Sequence, residues 1–303
     1  MAKTENEGSP GLLDPDAVSR GEALGILARL VVEGYRVGEH RSPFQGFAIE
    51  FAQHREYAMG DDPRHLDWKV IGRTDRYYIK QYRQDTNFVA HVILDASESM
   101  DYGSGKITKM HYGKALAACL SYLVLKQRDA SAVALIDDEI REYMPRTDNL
   151  GKIHHIMDRL AAYPPKQKTK LGQCLLDVAR MIKRKGITIL ISDLLDDEET
   201  LQQGIQRIRF AGSEVIVFHV MDPAELTFPF RGTVKFIGLE ETGVLETAPA
   251  DIAKSFRQEV EAFCGRVREI CERNGCHYVL ANTATPLAET LSGYLVFRKK
   301  SVA

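Results

Sequence analysis

An aspartate and two serines alternate directly after an apolar stretch of the sequence. The segment FVAHVILDASESM, residues 88–100, spaces Asp95, Ser97 and Ser99 two positions apart. Residues two apart in an extended chain point the same way, so one carboxylate and two hydroxyls face a common point. Oxygen donors of this kind are the ligands that hard divalent cations prefer. The segment therefore predicts a site for Mg²⁺ or Mn²⁺.

Two further oxygen donors occur where other elements begin or end. Thr169 precedes the LG that opens a helical pattern at residue 171, and Asp193 closes the apolar run ITILISD. In a doubly wound sheet, ligands bind beyond the carboxyl ends of the parallel strands. We expect all five donors at that edge as metal ligands: Asp95, Ser97, Ser99, Thr169 and Asp193.

The elements that must position these donors alternate along the chain. Four short apolar runs each close on an aspartate: FVAHVILD, SAVALIDD, ITILISD and EVIVFHVMD. Nearly continuous apolar runs are typical of strands covered on both faces. Helical patterns lie between them at residues 109–128, 171–185 and 199–212. This order predicts an α/β fold with a doubly wound, mostly parallel sheet.

The same patterns predict three regions. Residues 88–303 form the α/β domain, with a hairpin inserted near 225–247, a long helix near 251–273, the strand CHYVLANT and a last helix from about Pro286. Residues 46–87 form an accessory segment that mixes strand-like alternation with a GDDP turn at 60–63 and a short helix around Trp68. Residues 1–45 hold a tail and one amphipathic helix at 14–32.

Composition restricts the partners and the compartment. The 40 basic and 42 acidic side chains give a formal net charge of −2, so no overall field attracts nucleic acid or an anionic membrane. No window has the apolar length of a signal peptide or a membrane span, and we expect a cytoplasmic protein. The five cysteines lack close CxxC pairs, so we expect reduced core residues and no zinc site.

The five donors resemble a known metal site. Three features are similar to the metal-ion-dependent adhesion site of von Willebrand factor A domains: the segment DASES, a threonine before LG, and an aspartate after a strand. The resemblance implies that Ser97, Ser99 and Thr169 approach the metal directly or through water. It also implies that Asp95 and Asp193 lie in or just behind the ligand sphere, and that one coordination position stays open.

A second resemblance covers the region before the first sheet strand. The block REYAMGDDPRHLDWKVIGRTDRYYIKQY, residues 55–82, is similar to that of domain of unknown function 58 proteins, in which it precedes the DxSxS strand. Many members of that family carry membrane spans ahead of the block, which this sequence does not. Members are often encoded beside MoxR-type AAA+ ATPases. The resemblance therefore implies such an ATPase, or a client presented to it, as the partner.

The function expected from these features is protein binding without catalysis. Neutral hydroxyl ligands leave a cation much of its charge, so an Asp or Glu of a partner protein would complete its coordination. The expected role is a metal-dependent adaptor in protein complex assembly or maturation.

Parts of the sequence also suggest three other functions, and a specific feature argues against each. A metal-dependent phosphoester hydrolase using the same aspartates is the alternative, but Ser97 stands where DxDx(T/V) phosphatases have their second aspartate, the general acid. The stretch from Arg64 to Arg83 holds six basic and two acidic residues with four aromatics, yet a packed strand with inward aromatics explains it without nucleic acid. GSGKIT at 103–108 lacks the spacing of a nucleotide-binding loop.

Overall fold

The structure is a computed structural model that describes residues 48–57, 66–74, 76–85, 89–164, 168–182, 186–230, 234–237, 244–247, 249–291 and 293–294. The chain divides into two compact units, one containing His40–Phe88 and one containing Val89–Ala303. The predicted GDDP turn at 60–63 and the predicted helix at 14–32 lie outside the described residues.

The smaller unit is built on a two-stranded sheet. Strands β1 (Ala48–Glu56) and β2 (Tyr78–Asp85) pair antiparallel, and helix α1 (Trp68–Thr74) lies between them in sequence. The short helix predicted around Trp68 is therefore present. The expectation of inward-facing aromatics is wrong for Trp68 and Tyr77, whose exposed fractions are 67% and 58%. Trp68 begins a seven-residue helix, where the alternation of a strand does not apply.

The larger unit contains a six-stranded sheet. Its strands are β3 (Val89–Asp95), β4 (Ala130–Ile136), β5 (Ile140–Thr147), β6 (Gly186–Ser192) and β7 (Glu214–Met221), with β10 (His277–Asn282) at one edge; β8 (Val234–Ile237) and β9 (Val244–Thr247) pair separately as an antiparallel hairpin. The spatial order is β10-β7-β6-β3-β4-β5. All neighbours run parallel except β5, which is antiparallel to β4. The predicted α/β fold with a mostly parallel sheet is confirmed.

Six helices of this unit have defined bounds: α2 (Lys109–Lys126), α3 (Ile153–Ala162), α4 (Leu171–Met181), α5 (Glu198–Phe210), α6 (Pro223–Thr227) and α7 (Pro249–Arg273). Residues 287–291 are also helical. The helix predicted for 171–185 already ends at Met181, and neither α3 nor β5 was predicted. None of the helices in the described ranges combines the length and apolarity that a membrane crossing needs.

The core lies on both faces of the sheet because side chains alternate along each strand. Ile93 belongs to an apolar cluster that includes residues of α4, α5 and α7. Its neighbour Leu94 faces α2, where a Cβ on Gly113 would lie 2.9 Å from Leu94 Cδ1. Close contact also joins α4 to α5, since a Cβ on Gly172 would lie 2.5 Å from the carbonyl carbon of Thr200. This packing fixes the helices that begin at the carboxyl edge of the sheet.

Candidate metal site

The direction in which the chain crosses the sheet reverses between β3 and β6. From β3 the chain proceeds outward through β4 and β5, and it then returns to the other side of β3 for β6, β7 and β10. Loops that leave two neighbouring parallel strands in opposite directions open a crevice, which is where ligands bind in doubly wound sheets. Asp95 ends β3 and Asp193 follows β6, so these two aspartates flank the crevice.

The loop after β3 brings three of the five predicted donors together. The backbone N–H of Ser97 donates to Asp95 Oδ1 at 2.9 Å, and Ser97 Oγ lies 3.1 Å from Ser99 Oγ. A 3₁₀ turn over Glu98–Asp101 follows at once and directs the chain toward α2. All three side chains are buried. The loop therefore holds one carboxylate and two hydroxyls inside the protein.

Asp95 is surrounded by neutral hydrogen-bond donors and a negative neighbour. Its Oδ2 accepts a hydrogen bond of 2.6 Å from the hydroxyl of Ser192, the last residue of β6. Burial raises the pKa of Asp95 to about 7, and the charge of Asp193 adds to this effect, while the hydrogen bonds from Ser192 and Ser97 oppose it. A buried carboxylate is costly to ionise beside a like charge. A bound cation would remove that cost.

Thr169 lies in the loop that precedes α4. The N–H of the next residue, Lys170, donates to the carbonyl oxygen of Asp137 at 2.9 Å, and Asp137 directly follows β4. Because β4 is the neighbour of β3, this bond places the loop at the same edge of the sheet. Thr169 Oγ1 is buried and has no hydrogen-bond partner within the described ranges. A buried hydroxyl left unpaired costs about 1–3 kcal/mol, so it is a group that a ligand would satisfy.

Asp193 is paired with a buried lysine. Its Oδ2 accepts a hydrogen bond of 2.8 Å from Lys109 Nζ, which also donates to Glu225 Oε1 at 2.7 Å. Only 1% of the Lys109 side chain is exposed. Burial alone would lower the pKa of Lys109, but the two carboxylates more than reverse this effect and raise it above its ordinary value. The ammonium is therefore charged at any physiological pH.

A second polar network adjoins this pair. Asp222 caps α6 by accepting from the N–H of Ala224 at 2.8 Å, and its own N–H donates to Glu225 Oε2 at 2.8 Å. The N–H of Ser104 donates to Asp222 Oδ2 at 2.9 Å, and the Ser104 hydroxyl also bonds to this carboxylate. Ser104, in the loop before α2, therefore supplies a hydroxyl to the carboxylate that caps α6.

The donor set at this edge fits a divalent cation. Thr169 contributes a buried hydroxyl that has no hydrogen-bond partner among the described residues, and Asp95 contributes a buried carboxylate that is costly to ionise. Among the residues that the structure describes, no three His, Cys, Asp or Glu side chains form a group that could hold a metal ion. A cation here would therefore take serine and threonine hydroxyls as well as carboxylates. Oxygen donors of both kinds suit Mg²⁺ and Mn²⁺.

Three contributors to this edge were missed from the sequence: Ser192, Lys109 and Glu225. Ser192 carries a readable signal, because it directly precedes Asp193 at the end of an apolar run. Lys109 gives a weaker signal: it begins a helix with a long apolar stretch, but the same helix also carries Lys114 and Lys126. Glu225 gives only the weak signal of a capping box with Asp222.

The sequence has recognisable relatives. Uncharacterized proteins of Mycobacterium bovis and Mycobacterium tuberculosis are 23% identical to it over 246 residues, which cover 80% of this chain and 74% of theirs. Among solved structures, the conserved hypothetical protein BatB from Bacteroides thetaiotaomicron is 18% identical, with a TM-score of 0.46 over 70% of this chain and 99% of that one. An aerotolerance-related membrane protein from Bacteroides fragilis is 16% identical, with a TM-score of 0.45 and the same coverage.

A family model covers most of both units. The model described as protein of unknown function DUF58 matches residues 53–269, a range that starts in β1 and extends into α7. The match therefore includes the block around Trp68, the loop after β3 and the loops that carry Thr169 and Asp193. This protein belongs to the DUF58 family.

Proposed function

We propose that the unit from Val89 onward is a von Willebrand factor A-like module whose metal-ion-dependent adhesion site captures a carboxylate of a partner protein. The ion would be Mg²⁺ or Mn²⁺. The observation that carries the proposal is the position of the donors: Asp95 and Asp193 flank the crevice between β3 and β6, which is the ligand position of doubly wound sheets.

The residues of this edge have distinct roles in the proposal. The hydroxyls of Ser97, Ser99 and Thr169 would hold the ion, with the carboxylates of Asp95 and Asp193 beside them. Ser192 orients Asp95 through its hydrogen bond to Oδ2. When bound, the ion supplies a positive charge that attracts an external anion. Since the hydroxyl ligands are neutral, much of that charge remains for an Asp or Glu side chain of the partner.

Calorimetry with Mg²⁺ and Mn²⁺ tests the metal site. Wild type should bind one ion per chain, and Asp95→Asn, which preserves the size of the side chain, should abolish binding while the protein stays folded. Asp101→Asn is a matched control, because it removes an exposed carboxylate from the same loop. If wild type and Asp95→Asn had equal metal affinity, these residues would not form the metal site.

The partner proposed from the family resemblance is a MoxR-type AAA+ ATPase or a client protein presented to it, in a cytoplasmic adaptor role. The metal contact alone should be weak, because a carboxylate loses its own hydration when it binds the ion. Neighbouring loops must add contact area. In a pull-down from the native host, such a partner should be retained with Mg²⁺ and lost both with chelator and in a folded Ser97→Ala, Ser99→Ala variant. Retention under all three conditions would place the interaction elsewhere.

The proposal assigns no catalytic step to this edge. Phosphoester hydrolysis by strand-end aspartates requires a second carboxylic acid to protonate the leaving group, and position 97 is a serine, whose hydroxyl is too weak an acid. The purified protein should therefore leave p-nitrophenyl phosphate intact in the presence of Mg²⁺. A hydrolysis rate that disappears in Asp95→Asn would favour the hydrolase instead.

A further inference from the structure

Lys109 is a cation built into the edge that carries the proposed metal site. It is the first residue of α2, and its ammonium bridges the loop after β6 and helix α6 through Asp193 and Glu225, at 2.8 and 2.7 Å. The same ammonium lies 5.8 Å from the centre of the Tyr102 ring. A lysine is almost never buried this completely unless it is paired. Its position is therefore set by the two carboxylates.

The pairing decides how much negative charge faces the crevice. Asp95 and Asp193 would each offer a full negative charge to a divalent ion, and together they would neutralise it. The Lys109 ammonium already compensates Asp193 through a direct hydrogen bond. Asp95 has only neutral donors, Ser97 and Ser192, among its described hydrogen bonds. One of the two carboxylates is thus offset and the other is not.

We propose that Lys109 is the residue that selects an anionic ligand, because it offsets Asp193 and leaves the bound divalent ion with net positive charge. This inference rests on the proposed function, since it requires a metal at the site. In this proposal Lys109 acts on the ion through Asp193, which accepts a hydrogen bond from its ammonium. The ammonium weakens binding of the ion and strengthens binding of an external carboxylate to that ion.

The two effects have opposite signs, and this separates the proposal from a structural role. Loss of the Lys109 charge should raise the affinity for Mn²⁺ at least tenfold, because an uncompensated Asp193 becomes available to the ion. It should lower the affinity of the Mn²⁺-loaded protein for acetate by a similar factor. A residue that only supported the fold would weaken both equilibria when it was replaced.

Two variants isolate the effect of the Lys109 charge. One is the double variant Lys109→Gln, Glu225→Gln, and the other is the single variant Glu225→Gln. In the double variant a neutral amide replaces the ammonium, while residue 225 is not left as an unpaired charge. The single variant keeps the ammonium on Asp193 and is the reference. Mn²⁺ affinity is measured by calorimetry, and acetate binding to the Mn²⁺-loaded protein is measured by the loss of water-proton relaxation as metal-bound water is displaced.

The expected result is tighter Mn²⁺ binding and weaker acetate binding in the double variant than in Glu225→Gln. If the double variant and Glu225→Gln have equal affinities for Mn²⁺ and for acetate, and wild type binds Mn²⁺, the proposed role of Lys109 is wrong. The proposed metal site would not be affected by that result. Absence of Mn²⁺ binding in wild type would overturn the proposed function and this inference with it. Should the double variant fail to fold, refolding with Mn²⁺ must restore it, since the ion then compensates Asp193. Failure of Mn²⁺ to do so also refutes the proposal.

Discussion

Replacement of Asp95 by asparagine should stabilise the metal-free protein at high pH. Burial raises the pKa of Asp95 from an ordinary value of 3.8 to about 7. A carboxyl group whose pKa is higher in the folded state contributes most to stability below pH 3.8, and this contribution is lost as the pH rises to about 7. At about 1.4 kcal/mol per pKa unit, the raised pKa of Asp95 costs the folded protein about 4 kcal/mol at pH 8 and about 2 kcal/mol at pH 5, where only the carboxyl of the unfolded chain is ionised. Asparagine avoids this cost.

Urea unfolding in chelator at pH 5 and pH 8 measures the effect. The free energy of unfolding of Asp95→Asn, relative to wild type, should rise by about 2–3 kcal/mol between the two pH values. Titrating groups that do not interact with Asp95 cancel in this difference, and the exposed control Asp101→Asn should show no such change. Mg²⁺ at pH 8 should reverse the order by stabilising wild type alone. If the free energies of unfolding of Asp95→Asn and wild type differed by the same amount at pH 5 and at pH 8, Asp95 would not be a costly buried charge.

Two further predictions concern the scaffold. Gly172→Ala should destabilise the protein by about 1–3 kcal/mol in urea unfolding, because the new Cβ meets the Thr200 backbone, whereas Gly265→Ala, with open space around it, should be neutral or stabilising. Burial lowers the pKa of His219 to about 4, so its contribution to stability is present above pH 6.5 and is lost as the pH falls toward 4. In urea unfolding, the free energy of unfolding of wild type should therefore fall by about 3 kcal/mol more than that of His219→Gln between pH 7 and pH 4. Equal decreases in the two proteins would contradict this prediction.

The central strands could be predicted from the sequence because they are buried on both faces. The runs before Asp95 and Asp193 are almost uninterrupted in their apolar residues, and β3, β4, β6 and β7 have the expected positions. The edge strand β5 could not be predicted in this way. Its sequence IREYMPRT contains two arginines, a glutamate and a proline, and only Met144 in it is buried. An edge strand that is open to solvent has no continuous apolar run.

Helix α3 was missed although its sequence carries a signal. Ile153, Ile156, Met157 and Leu160 are buried at the spacing of one helix face. The helical pattern is weak because the segment is short and contains two histidines, His154 and His155. By contrast, the helix predicted for 171–185 ends early at Met181, although the next residue, Ile182, is buried in the same apolar cluster as Val178. Helix ends depend on local backbone bonds that periodicity does not encode.

The local part of the candidate site could be predicted, and the distant part could not. Asp95, Ser97 and Ser99 lie within five residues, so their grouping follows from the geometry of a single loop. Thr169 and Asp193 follow from the rule that strand ends share an edge, although no described hydrogen bond joins Thr169 to the other donors. That rule gives the edge of the sheet but not the distance between two side chains.

Lys109 shows why charge compensation requires the structure. Its two partners lie 84 and 116 residues away in the sequence, one in the loop after β6 and the other in helix α6. The sequence shows two aspartates that flank a crevice, and it therefore suggests a strongly negative site that would neutralise a divalent ion. The buried ammonium of Lys109 reduces the net negative charge of this site by one. In the proposed function, this charge is the difference between an ion that is fully neutralised by its ligands and an ion that still attracts an external anion.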